Sequence, residues 1–133
     1  MPSTFDHSKF ILVPFKPGGR DFSGADCWGL AMLVYKDFGI DLPDFRIACE
    51  ESLKIDFAVS EQRKTWARLA EPVAPCVVVI RMSNKYPRVC NHLGVYVGAG
   101  KFVHTLKKQG SSVVRIDHPY FSQKIEGYYE FRK

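Results

Sequence analysis

The second half of the chain consists of short β-type runs, and this pattern constrains the fold more than any other feature. From residue 76 onward the runs "CVVVIRM", "HLGVYV", "KFVHTL", "SVVRI" and "GYYEF" are rich in β-branched and aromatic residues. Glycine, proline, serine and asparagine separate them, as is typical of turns between strands. The pattern predicts an antiparallel sheet, which must bury one face under a helix from the first half of the chain.

The stretch at residues 24–43, "GADCWGLAMLVYKDFGIDLP", is the clearest helix. Its apolar residues recur with the spacing of a helix that has a wide apolar face. Asp26 is predicted to cap its N-terminus, and Gly39 is predicted to end it. A second helix is predicted over residues 60–70, "SEQRKTWARLA". Helices first and an antiparallel meander afterwards indicate a single α+β domain over residues 1–133.

Composition and charge exclude several classes of protein. The 133 residues are 46% hydrophobic and 25% charged, which suits one globular core. No apolar run is long enough to span a bilayer, and the N-terminus lacks a signal-peptide pattern, so we expect synthesis in the cytoplasm. A net charge of +5 favours anionic polymers, but the basic residues are scattered and no nucleic-acid partner is expected. His7 and His118 lie in loop-like contexts and are expected at the surface.

The first predicted helix begins with a cysteine. Cys27 would lie in the first turn, where backbone N–H groups and the helix dipole favour an anion, so its thiol should ionise readily. The chain has three other cysteines, which are widely spaced and expected to be buried filler: Cys49, Cys76 and Cys90. Without a C-x-x-C pair they indicate neither a disulfide scaffold nor a zinc ribbon. Cys27 is the candidate nucleophile, and it needs a base.

Two histidines lie inside neighbouring predicted strands. His92 and His104 are joined through "GVYVGAGKFV", and a three-residue hairpin loop at 98–100 would set Val97 opposite Lys101. The two histidines would then form a diagonal pair on one face of the sheet, with backbones about 7–8 Å apart. A two-residue loop would put them on opposite faces. The flanking glycines favour the three-residue loop.

A cysteine at a helix start with two histidines on one sheet face is the set of groups that a thiol peptidase requires. One imidazole takes the thiol proton and later gives it to the leaving amine, while a second polar group holds the first ring in the correct tautomer. A zinc site is the rival interpretation, because Cys90 and His92 point to one side of a strand and could bind the metal with Cys27 and His104. Their spacing matches no zinc pattern.

The motifs "GADCWGL" and "NHLGVYVGAGKFVHT" resemble the NlpC-type papain-like cysteine peptidases, which cut bacterial cell-wall peptides. The resemblance extends from about Phe15 to the C-terminus and includes the interval of twelve residues between the two histidines. It implies a papain-like α+β fold in which the cysteine helix packs on an antiparallel sheet. It also implies that Cys27 is the nucleophile, His92 the general base and His104 the orienting residue, with no cofactor or metal.

Three residues near the nucleophile are expected to contact the substrate: Phe15, Asp26 and Trp28. Phe15 stands where the family often has a tyrosine whose hydroxyl assists the oxyanion, so that task would fall to backbone N–H groups such as that of Cys27. Trp28 replaces the common serine. Asp26 could meet a substrate amine as well as cap the helix.

Trp28 and the ending "RIDHPYFSQKIEGYYEFRK" are similar to the branch of the family found in tails of phages and gene-transfer particles. This branch implies partners in a tail assembly or action at the cell wall. The bond that the family usually cuts joins the side-chain carboxyl of D-glutamate to a diamino acid of the peptidoglycan stem peptide. Two alternatives to a stem-peptide hydrolase stay open: an assembly or binding module with weak or lost hydrolysis, and an amidase or acyltransferase on a non-wall substrate.

Overall fold

The computed structural model describes residues 8–43, 66–81 and 92–131. Six strands form its main sheet: β3 (Trp66–Leu69), β4 (Cys76–Ile80), β5 (His92–Gly98), β6 (Lys101–Leu106), β7 (Gly110–Arg115) and β8 (Ile125–Phe131). They are antiparallel throughout and are ordered β3-β8-β4-β5-β6-β7. All five predicted β-type runs are strands of this sheet, so the sheet that the sequence predicts is confirmed.

Each face of the sheet packs against a helix. The helix α1 (Cys27–Asp37) lies over β5 and β6 and packs on alternate residues of the sheet, which include Val77, Val79, Leu93 and Val95. The opposite face packs on a short helix, α2 (Pro119–Ser122), through a cluster that includes Val78, Ile80, Phe102 and Phe121. This alternation is the period of two that side chains have along a strand. In the described ranges, no helix has the length and apolarity to cross a membrane.

The ends of α1 lie where its capping residues predict them. Asp26 is the N-cap, and its side chain accepts a hydrogen bond from the N–H of Gly29 at 2.8 Å. At the C-terminal end, the N–H of Ile40 donates to the carbonyl of Tyr35 at 3.0 Å, and Gly39 has a φ of +80°. Glycine is favoured at such a left-handed position, because a side chain there is strained. Both caps therefore place Cys27 at the first helical position.

The predicted second helix, at residues 60–70, is wrong in its last part. Trp66–Leu69 form β3, which pairs with β8 at the edge of the sheet, and residues 60–65 lie outside the described residues. The ring of Trp66 contacts those of Trp28 and Phe131, with centroids 6.2 and 5.2 Å away. Strand pairing and aromatic packing outweigh the local helix propensity of this segment.

A small hairpin precedes α1 and lies close to its first turn. It pairs β1 (Arg20–Asp21) with β2 (Gly24–Ala25). The backbone of the adjoining loop touches the helix so closely that a Cβ added at Gly29 would lie 2.0 Å from the carbonyl oxygen of Gly19. Glycine at position 29 thus allows the loop to reach the helix start.

The N-terminal apolar stretch lies against β7. The N–H of Leu12 donates to the carbonyl of Ser111 at 2.8 Å, and the N–H of Ser111 donates to the carbonyl of Val13 at 2.9 Å. Phe10 and Val13 are buried in the same core as α1. The segment that leads to the cysteine helix is therefore fixed to the edge of the sheet that carries both histidines.

Candidate active site

Cys27 begins α1, which packs on the sheet face that bears Leu93 and Val95. His92 and His104 lie on the opposite face of the sheet, with Ile80 and Phe102. Only 2% of the surface of Cys27 is exposed, and it shares a core cluster with Leu93, the residue that follows His92 in β5. Its sulfur takes part in a disulfide. Cys76 is a free, buried thiol, as predicted, and burial raises its pKa to about 11. Cys27 can attack a carbonyl only in its reduced form, because the nucleophile is the thiolate.

His92 and His104 form a buried, hydrogen-bonded pair. Nε2 of His92 lies 3.0 Å from Nδ1 of His104, and the side chains are only 4% and 1% exposed. This bond uses Nε2 of His92, and the described part of the chain gives no hydrogen-bond partner to Nδ1 of the same ring. Nδ1 of His92 is therefore the nitrogen that can take a proton from outside the pair.

The two histidines share a face because of a β-bulge beside the hairpin turn. Gly98 pairs with Lys101, so the loop contains only Ala99 and Gly100, with φ of +55° and +73°. The predicted three-residue loop is wrong in this detail, since a two-residue loop with φ > 0 at both positions closes the hairpin. A register shift just before Gly98 inserts one extra residue and restores the parity. The predicted same-face pair is present for a reason that the sequence analysis did not contain.

The strands that carry the pair approach closely at Gly94. A Cβ at this position would lie 2.7 Å from the carbonyl oxygen of Val103 and 3.2 Å from Cβ of His104. The rings of Phe102 and Phe121 pack on His104, with centroids at 5.3 and 4.9 Å. A small residue in β5 and aromatic rings around β6 thus hold the imidazoles in an apolar setting.

Burial keeps both imidazoles neutral near pH 7. It lowers the pKa of His92, and the neighbouring His104 lowers it further. Burial also lowers the pKa of His104, to about 4. A neutral imidazole has one bare ring nitrogen, which is the form that a general base must have at the start of the reaction.

Asp26 holds the loop before the helix as well as the helix itself. The residue is fully buried, and its Oδ1 accepts from the N–H of Gly29 and from Nη1 of Arg20, each at 2.8 Å. Its Oδ2 accepts from the N–H of Gly18 at 2.9 Å. The predicted N-cap is confirmed, while contact of Asp26 with a substrate stays a prediction. Sequence reasoning missed Arg20. The one sequence feature that could have identified it is its position as the arginine of the glycine-rich loop before α1.

Phe15 and Trp28 flank the segment of the nucleophile. Phe15 is half-buried and forms a β-bridge with Ala25, two residues before Cys27. Trp28 is 4% exposed, and its indole N–H donates to the carbonyl of Pro43 at 2.9 Å. The structure thus gives Trp28 a packing role and places Phe15 beside the helix start. Contact of either residue with a substrate stays a prediction.

The remaining predicted positions are partly outside the described residues. In the described ranges, no group of three or more histidine, cysteine, aspartate or glutamate side chains is arranged to hold a metal ion. Cys90, which the zinc interpretation needs, lies outside them, as do Cys49 and His7. His118 is exposed as predicted, and its Nδ1 accepts from the N–H of Tyr120 at 3.1 Å to cap α2.

Comparison with known proteins identifies the family. The sequence model of the NlpC/P60 family matches residues 12–130. The chain belongs to the NlpC/P60 family. It is 30% identical to a γ-DL-glutamyl hydrolase of Bacillus subtilis over 137 aligned positions, which cover 98% of this chain and 29% of that protein. The chain thus spans less than a third of the length of this relative.

Solved structures of NlpC/P60 proteins share the fold. The TM-score is 0.63 for a lipoprotein-like family member from Staphylococcus aureus, with 19% identity over 99% of this chain and 44% of that one. It is 0.65 for a family member from Bacillus cereus, with 16% identity over 93% of this chain and 37% of that one. For the NlpC/p60 domain of the peptidoglycan hydrolase SagA it is 0.58, with 19% identity over 92% and 91% of the two chains. The predicted family and the predicted α+β fold are confirmed.

The buried Asp26 carboxylate predicts a graded loss of stability in two variants. Asp26→Asn keeps an acceptor for the N–H of Gly29 but loses the charged partner of Arg20, and should lower the free energy of unfolding by about 1.5–3 kcal/mol. Asp26→Ala also loses the cap and should cost about 1 kcal/mol more. Urea unfolding measures both. Asp37→Ala is the control, because its pair with Lys9 is at the surface and should contribute little; equal stability of all three variants would contradict the assigned role.

The buried histidine pair predicts that stability falls in mild acid. The pKa of each imidazole is lower in the folded protein than in the unfolded chain, so the unfolded chain binds more protons below about pH 6.5. The free energy of unfolding should therefore fall as the pH drops from about 6.5 toward 4, by up to about 1.4 kcal/mol per pH unit for each histidine. Unfolding of wild type and His104→Gln over this range measures the effect. The variant should show the shallower slope, and parallel curves would refute the prediction.

Proposed function

We propose that this chain is a cysteine peptidase that hydrolyses peptidoglycan stem peptides, at the bond between the side-chain carboxyl of D-glutamate and the diamino acid. The observation that carries the proposal is the hydrogen bond between Nε2 of His92 and Nδ1 of His104, which leaves Nδ1 of His92 for proton transfer. The strand that bears His92 packs on the helix that Cys27 begins. The name of the B. subtilis relative, a γ-DL-glutamyl hydrolase, supports a γ-glutamyl bond.

In the first step, Cys27 attacks the carbonyl carbon of the scissile bond. His92 takes the thiol proton on Nδ1 as the sulfur–carbon bond forms, and the carbonyl oxygen becomes an oxyanion. His104 accepts a hydrogen bond from Nε2 of His92 and so holds the imidazolium in place. The apolar surroundings that keep His92 neutral at rest also favour the return of this proton.

The oxyanion is stabilised by the N-terminal end of α1. The first-turn N–H groups of a helix point outward from its N-terminus, and the helix dipole adds a partial positive charge there. Phe15 lies beside this segment through its bridge to Ala25, and it has no hydroxyl to donate. Backbone N–H groups, including that of Cys27, therefore carry the stabilisation.

The second half of the reaction regenerates the thiol. The imidazolium gives its proton to the amine of the diamino acid, the carbon–nitrogen bond breaks, and a thioester joins Cys27 to the glutamyl carbonyl. A water then attacks the thioester while His92 accepts a proton from it. The γ-glutamyl carboxylic acid leaves, and the sulfur recovers the proton. The proposal includes the place of action, which is either a tail assembly with its partner proteins or the cell wall.

Mass spectrometry of purified muropeptides tests the proposal. Reduced wild-type protein should release new stem-peptide fragments, and Cys27→Ala should lower the rate by at least about 10³-fold, because the covalent step is lost. Omitting the reductant should suppress cleavage as well, since Cys27 lies in a disulfide. Cys76→Ala is the matched control and should cleave normally, because Cys76 is a buried thiol in β4.

Other results would favour the alternatives. Release of no fragments by the reduced wild type, while Cys27 still reacts with an alkylating agent, would contradict hydrolysis and favour an assembly or binding module. Transfer of the glutamyl group to an added amine, in preference to water, would identify an acyltransferase. Equal cleavage by wild type and Cys27→Ala would refute the mechanism.

A further inference from the structure

We propose that Ser112 is a positioning residue for the base: its hydroxyl accepts the Nε2 proton of His104 and so holds both histidines in the tautomer that leaves Nδ1 of His92 bare. The inference rests on the proposed function, because it concerns the base of that reaction. It adds a third group to the chain of hydrogen bonds that begins at His92.

The register of β6 and β7 places Ser112 beside the pair. Ser112 lies directly opposite His104 in the ladder, so both side chains point to the same face of the sheet. Oγ of Ser112 is 3.4 Å from Nε2 of His104. Among the described residues, it is the one hydrogen-bond partner of that nitrogen. The rings of Phe102 and Phe121, which also contact His104, offer no acceptor in the plane of the imidazole.

Counting protons shows why this contact affects the base. The bond between two neutral imidazoles contains one proton, which lies either on Nε2 of His92 or on Nδ1 of His104. Only the first arrangement leaves Nδ1 of His92 bare, and it requires that His104 carries its own proton on Nε2. That N–H points toward Ser112. A buried N–H without an acceptor is costly, and an unpaired lone pair is less so. Without the hydroxyl, each arrangement leaves one buried N–H without an acceptor, at Nε2 of His104 or at Nδ1 of His92. The preference for the productive tautomer is therefore lost, and the unproductive one gains population.

A cavity beyond Ser112 lets the hydroxyl act as an acceptor. The cavity has a volume of about 300 Å³, and its polar and titratable lining includes His104, Gln109, Ser112, His118 and Tyr120. The hydroxyl proton of Ser112 can point into this space, toward the amide of Gln109, the imidazole of His118 or water. A lone pair of Oγ then faces Nε2 of His104. Ser112 is half-buried, which is consistent with a side chain between the pair and the cavity.

Two matched variants separate the effect of the hydroxyl group from the effect of side-chain shape. Ser112→Thr keeps the hydroxyl, and Ser112→Val has nearly the same shape without it; both β-branched residues suit a strand. With reduced protein and muropeptide substrate, Ser112→Val should lower kcat by roughly 5- to 100-fold at unchanged KM, and Ser112→Thr should stay close to wild type. Ser122→Ala, at an exposed position in α2, is the control and should behave as wild type.

Nitrogen-15 NMR of the imidazole rings gives a readout that does not need turnover. In wild type, both rings should carry the proton on Nε2, and in Ser112→Val the Nδ1 signal of His104 should gain proton-bound character. Wild-type tautomers and wild-type kcat in Ser112→Val would overturn the role of Ser112. If the wild type cleaves no muropeptide, the proposed function fails, but the tautomer shift in Ser112→Val still decides whether Ser112 positions the pair.

Discussion

The buried carboxylate of Asp26 determines where the active-site helix begins. A charge that is removed from water must be paired and hydrogen-bonded, and Asp26 meets this need with Arg20, the N–H of Gly18 and the N–H of Gly29. The same bonds hold the glycine-rich loop on the first turn of α1. A helix that began one residue later would leave Cys27 at the N-cap, outside the first turn, and its side chain would point in another direction. The direction of the candidate nucleophile therefore depends on this one ion pair and its two backbone contacts.

A second constraint acts on the sheet. Successive side chains of a strand point to opposite faces, so one residue more or less in the hairpin would separate His92 from His104. The tight turn at Ala99 and Gly100 alone would do so, and the bulge before Gly98 compensates for it. With the parity restored, the rings meet at a nitrogen–nitrogen distance of 3.0 Å in surroundings that keep them neutral. Because Nε2 of His92 bonds to His104, Nδ1 of His92 is the nitrogen that is left for proton transfer.

The features that depend on local sequence could be predicted, and those that depend on distant pairing could not. Asp26 and Gly39 specify the helix ends by their own chemistry, and the β-type runs specify their strands. Residues Trp66–Leu69 form a strand only because β8 offers an edge, which no local pattern reveals. Ser112 could be recognised only once the register of β6 and β7 was known. The disulfide of Cys27 was missed for a similar reason, because cysteine spacing alone does not give connectivity.

The central claim is that the histidine pair serves as the base of Cys27, and the alkylation rate of that cysteine tests it most directly. Reduced wild type and His92→Gln are treated with iodoacetamide at pH 7, and peptide mapping by mass spectrometry follows the modification of Cys27 alone. If His92 accepts the thiol proton, Cys27 should be alkylated about tenfold or more slowly in His92→Gln than in wild type. Without the imidazole, less of Cys27 is present as thiolate, and the thiolate forms more slowly during the attack. Equal rates in the two proteins would contradict the account.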